Sequence, residues 1–520
     1  MNFTRRLLIT ALASLGALGV EAQTYYTVDV QNSKLYSVNP NTAVVTYLGN
    51  LNASVTQADL AWHQGNLYML DSGVPNAGGR VFQVVTTGAW RGWAIPGAVL
   101  SGAGYVIADQ PGGLTSDGVN LIVAHGTTPG TLSWKLSSVN PVSGALTLVA
   151  SLGHDCDALA RDSQYWSMDC DNGSGFDWLI RGNPPTILAG QAPYSAASAP
   201  GDIEVIDAMT VVGPSKAGTT LVRISKTTGA KTVLNITGAQ DANARFDGIA
   251  KGTPTPIWRG QTYYSIDTQG DMLYRVGITS LNNLTASATP VGSLGIDFND
   301  PDLAWHVDAL YAIDNTFGPR TFQIVTSGAF AGRAIGGAPI LAPGPVDGLA
   351  STAYPGAGNL VFAYWEPNGS SQFWMANLSP MSGVPSGAFY WDPDVDGLCY
   401  GWSPVDNGMR LLHYDAGIQF GGDMFVSRPL NFNGFNVFGF GAYNASLSPN
   451  DIEELSNTQV VGIHAATRRL VLINKSSNLA LTPFTTTGFP AGSTPMGLAY
   501  APTARPPIGV IDDPKDVRNP

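Results

Sequence analysis

Short apolar runs recur along the chain, each about five residues long. Examples are Leu60-Ala61-Trp62, Leu67-Tyr68-Met69-Leu70 and Val81-Phe82-Gln83-Val84-Val85. They are rich in β-branched and aromatic residues, alternate in places, and are separated by Gly, Asn, Asp and Pro. This pattern predicts strands joined by tight turns. Helical periodicity is nearly absent, and Pro449–Asn457 is the one segment that reads as a short helical turn. The N-terminus is different. Arg5 and Arg6 precede an apolar run over Leu7–Val20, and Val20-Glu21-Ala22 follows. A run this short spans a bilayer poorly, so residues 1–22 read as a secretory signal cleaved before Gln23. The Arg5-Arg6 pair also resembles a twin-arginine signal.

The strand pattern repeats at two lengths. Thr24-Tyr-Tyr-Thr-Val-Asp29 returns as Thr262-Tyr-Tyr-Ser-Ile-Asp267, and Asp59-Leu-Ala-Trp-His63 returns as Asp302-Leu-Ala-Trp-His306. Leu67–Asp71 matches Leu310–Asp314, Val81–Trp90 matches Thr321–Phe330, and Gly201–Met209 matches Asn450–Thr458. The chain therefore consists of two similar halves, residues 23–257 and 258–503, followed by a Pro-rich charged tail, 504–520. Within each half a shorter signature, Asp-Gly-Leu-Ala or a variant, marks Asp59, Gly112, Asp157, Asp207 and Asp247, then Asp302, Asp347, Asp396, Ser456 and Met496. That makes five repeats per half, each with about four strands, which is the make-up of a β-propeller blade.

The pattern Asp-Gly-Leu-Ala, then Leu-Tyr-x-x-Asp, then Val-Phe-Gln-x-Val resembles NHL, YWTD and gluconolactonase-like β-propellers. The resemblance is at the level of the repeat and implies that the Gly-Leu-Ala run is the innermost strand of each blade. The first blade, Tyr25–Gly49, lacks a preceding signature strand, and the signature at Met496 lacks a following strand. Joining those ends closes one ring of about ten blades. The signature at Asp247 closes the first half alone, giving two tandem five-bladed propellers, which is the preferred reading because both halves are complete.

Composition narrows the function classes. Charged residues make up 12% of 520, Gly and Pro number 61 and 35, and the net charge is −12. A phosphate-backbone ligand needs a basic footprint, so nucleic acid is excluded as a partner. No apolar run of about 18 residues follows residue 22, so no transmembrane segment is expected. The expected location is secreted, periplasmic or at the cell surface.

Candidate chemistry lies in three groups. First, Asp59 and Asp71 flank a Gln64-Gly65-Asn66 turn, with the same spacing at Asp157/Asp169 and Asp302/Asp314. These pairs are expected opposite each other at the channel mouth, as are Asp247 with Asp267 and Asp396 with Asp415 around longer turns. They either cap turns through backbone N–H groups or bind Ca²⁺ or a polar ligand. In gluconolactonase-like propellers such a position holds a divalent metal, with a Glu and two Asn where this chain offers Asp. Second, Asp392, Asp394 and Asp396, followed by Gly397, have the alternate spacing that wraps a hard cation, although position 403 is Ser where an EF-hand needs Glu. Asp169 and Asp171 form a similar cluster, and Asp297-Phe-Asn-Asp300-Pro-Asp302 a third. Third, Trp62-His63 and Trp305-His306 recur at equivalent positions, as strand-end packing or as a ligand contact. Cys156 and Cys170 flank the Asp157/Asp169 hairpin and form a cross-strand disulfide pair or two buried thiols.

No Gly-x-Ser-x-Gly elbow, P-loop or dinucleotide fingerprint is present. The leading expectation is a non-enzymatic binding or scaffold module for a glycan or protein ligand, with Asp59, Trp62, His63, Asp302, Trp305 and His306 as ligand-binding candidates. The first alternative is a Ca²⁺-dependent, lactonase-like hydrolase built on channel-mouth carboxylates. The second is an extracellular structural protein that self-associates.

Overall fold

A computed structural model describes residues 24–72, 78–105, 111–126, 134–152, 155–162, 166–171, 176–183, 186–188, 194–195, 199–252, 262–351, 359–366, 372–391, 397–400, 410–414, 424–428, 447, 449–456, 459–474 and 481–501. Among the described residues all regular structure longer than a single turn residue is β-strand, and the strands form almost wholly antiparallel sheets of mostly four, the architecture of β-propeller repeats. The chain divides into two compact units at Pro256/Ile257, with Thr87–Arg91 belonging to the second.

In the first unit the inner strands of five sheets are Ala58–His63, Gly112–Ser116, Asp155–Arg161, Glu204–Asp207 and Phe246–Lys251. They touch in cyclic order, Phe246–Lys251 lying next to Ala58–His63. In the second unit the corresponding strands are Asp302–His306, Val346–Ser351, Gly397–Tyr400, Asp451–Ser456 and Pro495–Ala501, again in a closed cycle. Closure is internal to each half. Phe246–Lys251 pairs with Tyr25–Asp29, and Pro495–Ala501 pairs with Thr262–Asp267. A single ring joining the chain ends is thereby excluded.

The inner strands read as continuous apolar runs because neighbouring inner strands cover both of their faces. Leu60, Ala61, Ala160, Ile249 and Ala250 are all buried, and the small Ala side chains admit close approach. Outer strands such as Leu146–Leu152 are exposed or half-exposed along most of their length. The core lies in layers between adjacent sheets: Val28, Leu35, Leu60, Leu67, Met69 and Phe82 form one such layer.

The Gly of the signature has a specific job. Gly248 takes φ +68° at an irregularity in the pairing of its strand, and a Cβ there would fall 2.8 Å from Leu60 Cγ. Gly497 repeats this against Leu303, with φ +65° and 2.8 Å. At Gly248 and Gly497 the left-handed Gly and the irregularity occur together, while Asp59-Leu60 and Asp302-Leu303 have neither.

Four expectations change. The fourth inner strand of each half is marked by Asp202 and Asp451, not by Asp207 and Ser456. Gly112, Asp157, Asp202 and Asp247 are evenly spaced at 45 residues. Pro449–Asn457 contributes to the strand Asp451–Ser456 and not to a helical turn. Asp59 faces Leu70 and Asp71 faces Ala58, so these two carboxylates occupy opposite faces of the hairpin and do not repel across it. Asp302 likewise faces Ile313. Asp247 and Asp267 belong to different sheets, because Asp247 lies opposite Val28.

Candidate functional site

Each ring has two levels. At the starts of the inner strands sit carboxylates that accept backbone amides, most of them from other inner strands and some from the residue that follows the carboxylate. Asp202 Oδ2 accepts from Leu60 N at 3.0 Å and Ile249 N at 2.8 Å, while its Oδ1 accepts from Ile203 N at 2.8 Å. Asp247 Oδ2 accepts from Ala58 N at 3.2 Å, and Asp59 Oδ2 from Gly113 N at 3.1 Å. One side chain thus ties strands that are far apart in sequence.

The second unit repeats the arrangement. Asp451 accepts from Leu498 N at 2.5 Å, from Ile452 N at 2.8 Å and from the Leu303 amide. Asp302 Oδ2 accepts from Gly348 N at 2.6 Å. One step along the strand, Glu204 accepts the Lys251 amide at 3.0 Å, and Glu453 accepts the Tyr500 amide at 3.2 Å. Asp202, Glu204, Asp451 and Glu453 were not singled out by sequence reasoning. Their signal was present in the match of Gly201–Met209 with Asn450–Thr458, which preserves Asp-Ile-Glu in both halves.

Burial sets the protonation of this level. It pushes Asp247 up to about 6 and Glu204 up to about 7, against the pull of the amides they accept. Burial also raises Asp202, with Asp247 adding to it, despite the amides of Leu60, Ile249 and Ile203. Asp302 and Asp451 rise for the same reason, Asp302 also through Asp451, Asp300 and Asp347. Neighbouring carboxyls in a dry site cannot all ionise, so part of this level is neutral near pH 7.

The Asp residues that end the second strands act as caps. Asp29 Oδ1 accepts from Gln31 N and Arg245 N, and Asp267 Oδ1 from Gln269 N and Thr494 N. Asp314 Oδ1 takes the amides of Asn299 and Asp300. The carboxylates of the 297–302 cluster do not converge: Asp302 serves Gly348, and Asp297 is hydrogen-bonded to Asp271. Among the described residues, no three His, Cys, Asp or Glu side chains are grouped to hold a metal. Asp392, Asp394 and Asp396 lie outside the described residues, as do the side chains of Asp169 and Asp171. The backbone register places Cys156 opposite Cys170, and their side chains also lie outside the description.

The second level is the rim formed by the ends of the inner strands. His63 Nδ1 is 2.7 Å from Ser116 Oγ, and His306 Nδ1 is 2.9 Å from Ser351 Oγ. Burial lowers the pKa of both imidazoles, opposed by Asp117 and Asp308 respectively, which keeps them neutral near pH 7. Trp62 stacks on Tyr26 with centroids 5.5 Å apart and planes 4° apart, and Trp305 stacks on Tyr264 at 6.0 Å and 15°. Both Trp side chains are partly exposed. The six candidate ligand residues therefore separate: Asp59 and Asp302 belong to the amide-tying level, and the Trp-His pairs to the rim. Each Trp stands three residues along the strand from its Asp, about 10 Å away.

No family model matches the chain, and no curated protein does. Among solved structures the chain is similar to a candidate 6-phosphogluconolactonase from Bacteroides fragilis, at 13% identity over 72% of this chain and 96% of that one, with a TM-score of 0.25. It is similar to the periplasmic gluconolactonase of Pseudomonas aeruginosa, at 13% identity over 71% and 98%, with a TM-score of 0.25. A Bacteroides caccae protein of unknown function gives 11% identity over 49% and 82%, with a TM-score of 0.26. Likenesses this distant carry no argument about chemistry, and the propeller assignment rests on the repeated sheets themselves. Among the described residues no helix is long and apolar enough to cross a membrane.

Proposed function

We propose that the chain is a secreted binding module that presents a saccharide-binding rim twice, once on each propeller unit. The observation that carries this reading is the duplicated aromatic stack, Trp62 on Tyr26 and Trp305 on Tyr264, each beside a His-Ser pair. A partly exposed indole fixed by a second ring is a rigid apolar face, and the apolar face of a sugar ring stacks on such a surface at little entropic cost. The His-Ser pairs, on the opposite face of each strand, link neighbouring inner strands and fix the strand ends that carry the indoles. The carboxylates of each ring tie strands together, which leaves recognition to the rim. Residues 1–22 serve as the export signal, and Cys156 pairs with Cys170 after export.

The test is a binding screen of the mature chain against an oligosaccharide panel, followed by Trp62→Leu and Trp305→Leu. Binding that weakens at least tenfold in one or both variants, with unchanged melting temperature, supports the reading. Binding untouched by both variants contradicts it.

A lactonase-like hydrolase is the second reading. It is favoured by the Glu204 carboxyl, which burial holds up to about 7, since a carboxyl part-protonated near pH 7 can act as a general acid. Hydrolysis of aldonolactones with and without Ca²⁺ tests it, and a rate equal to the uncatalysed background in both conditions rejects it.

A further inference from the structure

The two rims are built on one frame but differ in charge. The strand registers make Lys251 equivalent to Tyr500: Lys251 lies opposite Tyr25, and Tyr500 lies opposite Tyr263. Both backbone amides donate to the equivalent acids, Glu204 and Glu453. The side chains then do different things. Lys251 Nζ is 5.9 Å from the centroid of the Tyr25 ring and donates to Ile206 O at 3.3 Å. Among the described residues it forms no ion pair with a carboxylate. Tyr500 instead packs on Tyr263, with centroids 5.4 Å apart. The same exchange occurs at one more rim position, where Arg161 of Asp157–Arg161 corresponds to Tyr400 of Asp396–Tyr400. Arg161 donates to Asp117 O at 2.6 Å and lowers the Asp117 pKa, so its charge is already used locally. Lys251 likewise donates to a carbonyl and pulls on the Glu204 carboxyl, but among the described residues it closes no ion pair, so a ligand carboxylate can still reach it.

Its position relative to the aromatic face is set by Gly252. A Cβ on Gly252 would lie 2.8 Å from the Tyr26 ring and 3.6 Å from the Trp62 indole. The residue after Lys251 therefore lies against the stack, while the Lys251 side chain is on the Tyr25 side of the same strand. The stack and the ammonium thus lie on opposite faces of the strand that ends at Lys251, so a ligand that reaches both has to cross the end of that strand.

We propose that the first unit's rim selects an acidic oligosaccharide, with one sugar stacked on Trp62 and the carboxylate of the adjoining uronate on Lys251, and that the second unit's rim, with Tyr500 in that place, takes an uncharged one. This rests on the rims being saccharide sites. A charge-assisted hydrogen bond is stronger and more directional than a neutral one, so the carboxylate gains most where the ammonium has no protein carboxylate to satisfy it. Glu204, beside Lys251, is held up to about 7 by burial although the ammonium lowers it, so it carries only part of a charge near pH 7.

The probe is a pair of ligands with one skeleton, an oligogalacturonate and its methyl ester, titrated calorimetrically into the full mature chain. The expected result is binding of the ionised form about tenfold tighter than the ester, a preference that shrinks with added salt. Lys251→Tyr should abolish that preference, the affinity for the ionised form falling to that for the ester. Trp62→Leu should weaken both ligands, and Tyr500→Lys should add a second site for the ionised form. Equal affinity for acid and ester, or a preference surviving in Lys251→Tyr, overturns this inference while leaving the rims as saccharide sites. Absence of binding by acid, ester and the neutral oligosaccharide panel overturns both.

Discussion

Asp202→Ala is the sharpest test of how each ring is held. In the wild type one carboxyl accepts three buried amides, those of Leu60, Ile249 and Ile203. Each buried N–H left without an acceptor costs ~1–3 kcal/mol, so the gross loss is ~3–9 kcal/mol. Removing a desolvated acid returns part of this, and water entering the gap returns more. The expected net destabilisation of the first unit is about 3–5 kcal/mol. Asp202→Asn keeps an oxygen for the Leu60 and Ile249 amides and loses only the Ile203 bond, so about 1–2 kcal/mol is expected. Native-state hydrogen exchange reads this residue by residue. In Asp202→Ala the Leu60 and Ile249 amides should lose protection by a factor of roughly 10²–10³, while Leu303 and Leu498 of the second unit keep theirs. Asp451→Ala should give the mirror result. The reasoning fails if Asp202→Ala lies within about 0.5 kcal/mol of wild type in denaturant melts and the Leu60 and Ile249 amides stay protected.

Other outcomes follow from the same geometry. Asp247 and Glu204 have pKa values raised by burial to about 6 and about 7, so the folded state holds their protons more tightly than the unfolded chain. Their contribution is fully present below about pH 4 and is lost as pH rises through about 7, so chemical-denaturation midpoints should fall across that window, and less so in Glu204→Gln. Val307 takes φ +57° in the turn where the first half has Gln64-Gly65, and a β-branched residue is poorly suited to that region. Val307→Gly should raise the second unit's stability by about 1 kcal/mol in thermal melts, and a loss would show that the Val side chain contributes packing. Gly248→Ala combines φ +68° with a Cβ 2.8 Å from Leu60 Cγ and should cost about 2–4 kcal/mol in the same melts.

The repeat was legible because each strand announces itself locally. Leu60-Ala61 and Leu67–Leu70 are apolar on both faces, and the Gln64-Gly65 turn has both residues at positive φ, as a two-residue hairpin requires. Ring closure was legible only as alternatives, since pairing of Phe246–Lys251 with Tyr25–Asp29 spans more than 200 residues. The carboxylate level was misread for a related reason. A signature defined by Leu-Ala passes over Asp202-Ile203-Glu204, although its 45-residue spacing fits. The partners of Asp202 are backbone amides, which no side-chain motif encodes, and the Leu60 amide is 142 residues away. The expected opposition of Asp59 and Asp71 failed by one residue of register, enough to move a side chain to the other face. The rim was legible as recurring Trp-His pairs, but Tyr26 and Tyr264 became their partners only once the sheets were assembled.

The most direct measurement is a titration of the mature chain with the oligosaccharides it binds, compared with the double variant Trp62→Leu, Trp305→Leu. Duplicated rims predict that binding disappears in the double variant while its melting profile and the protection of the Leu60 and Leu303 amides are retained. Binding that persists undiminished in that folded variant would contradict the assignment of the rims as the ligand sites.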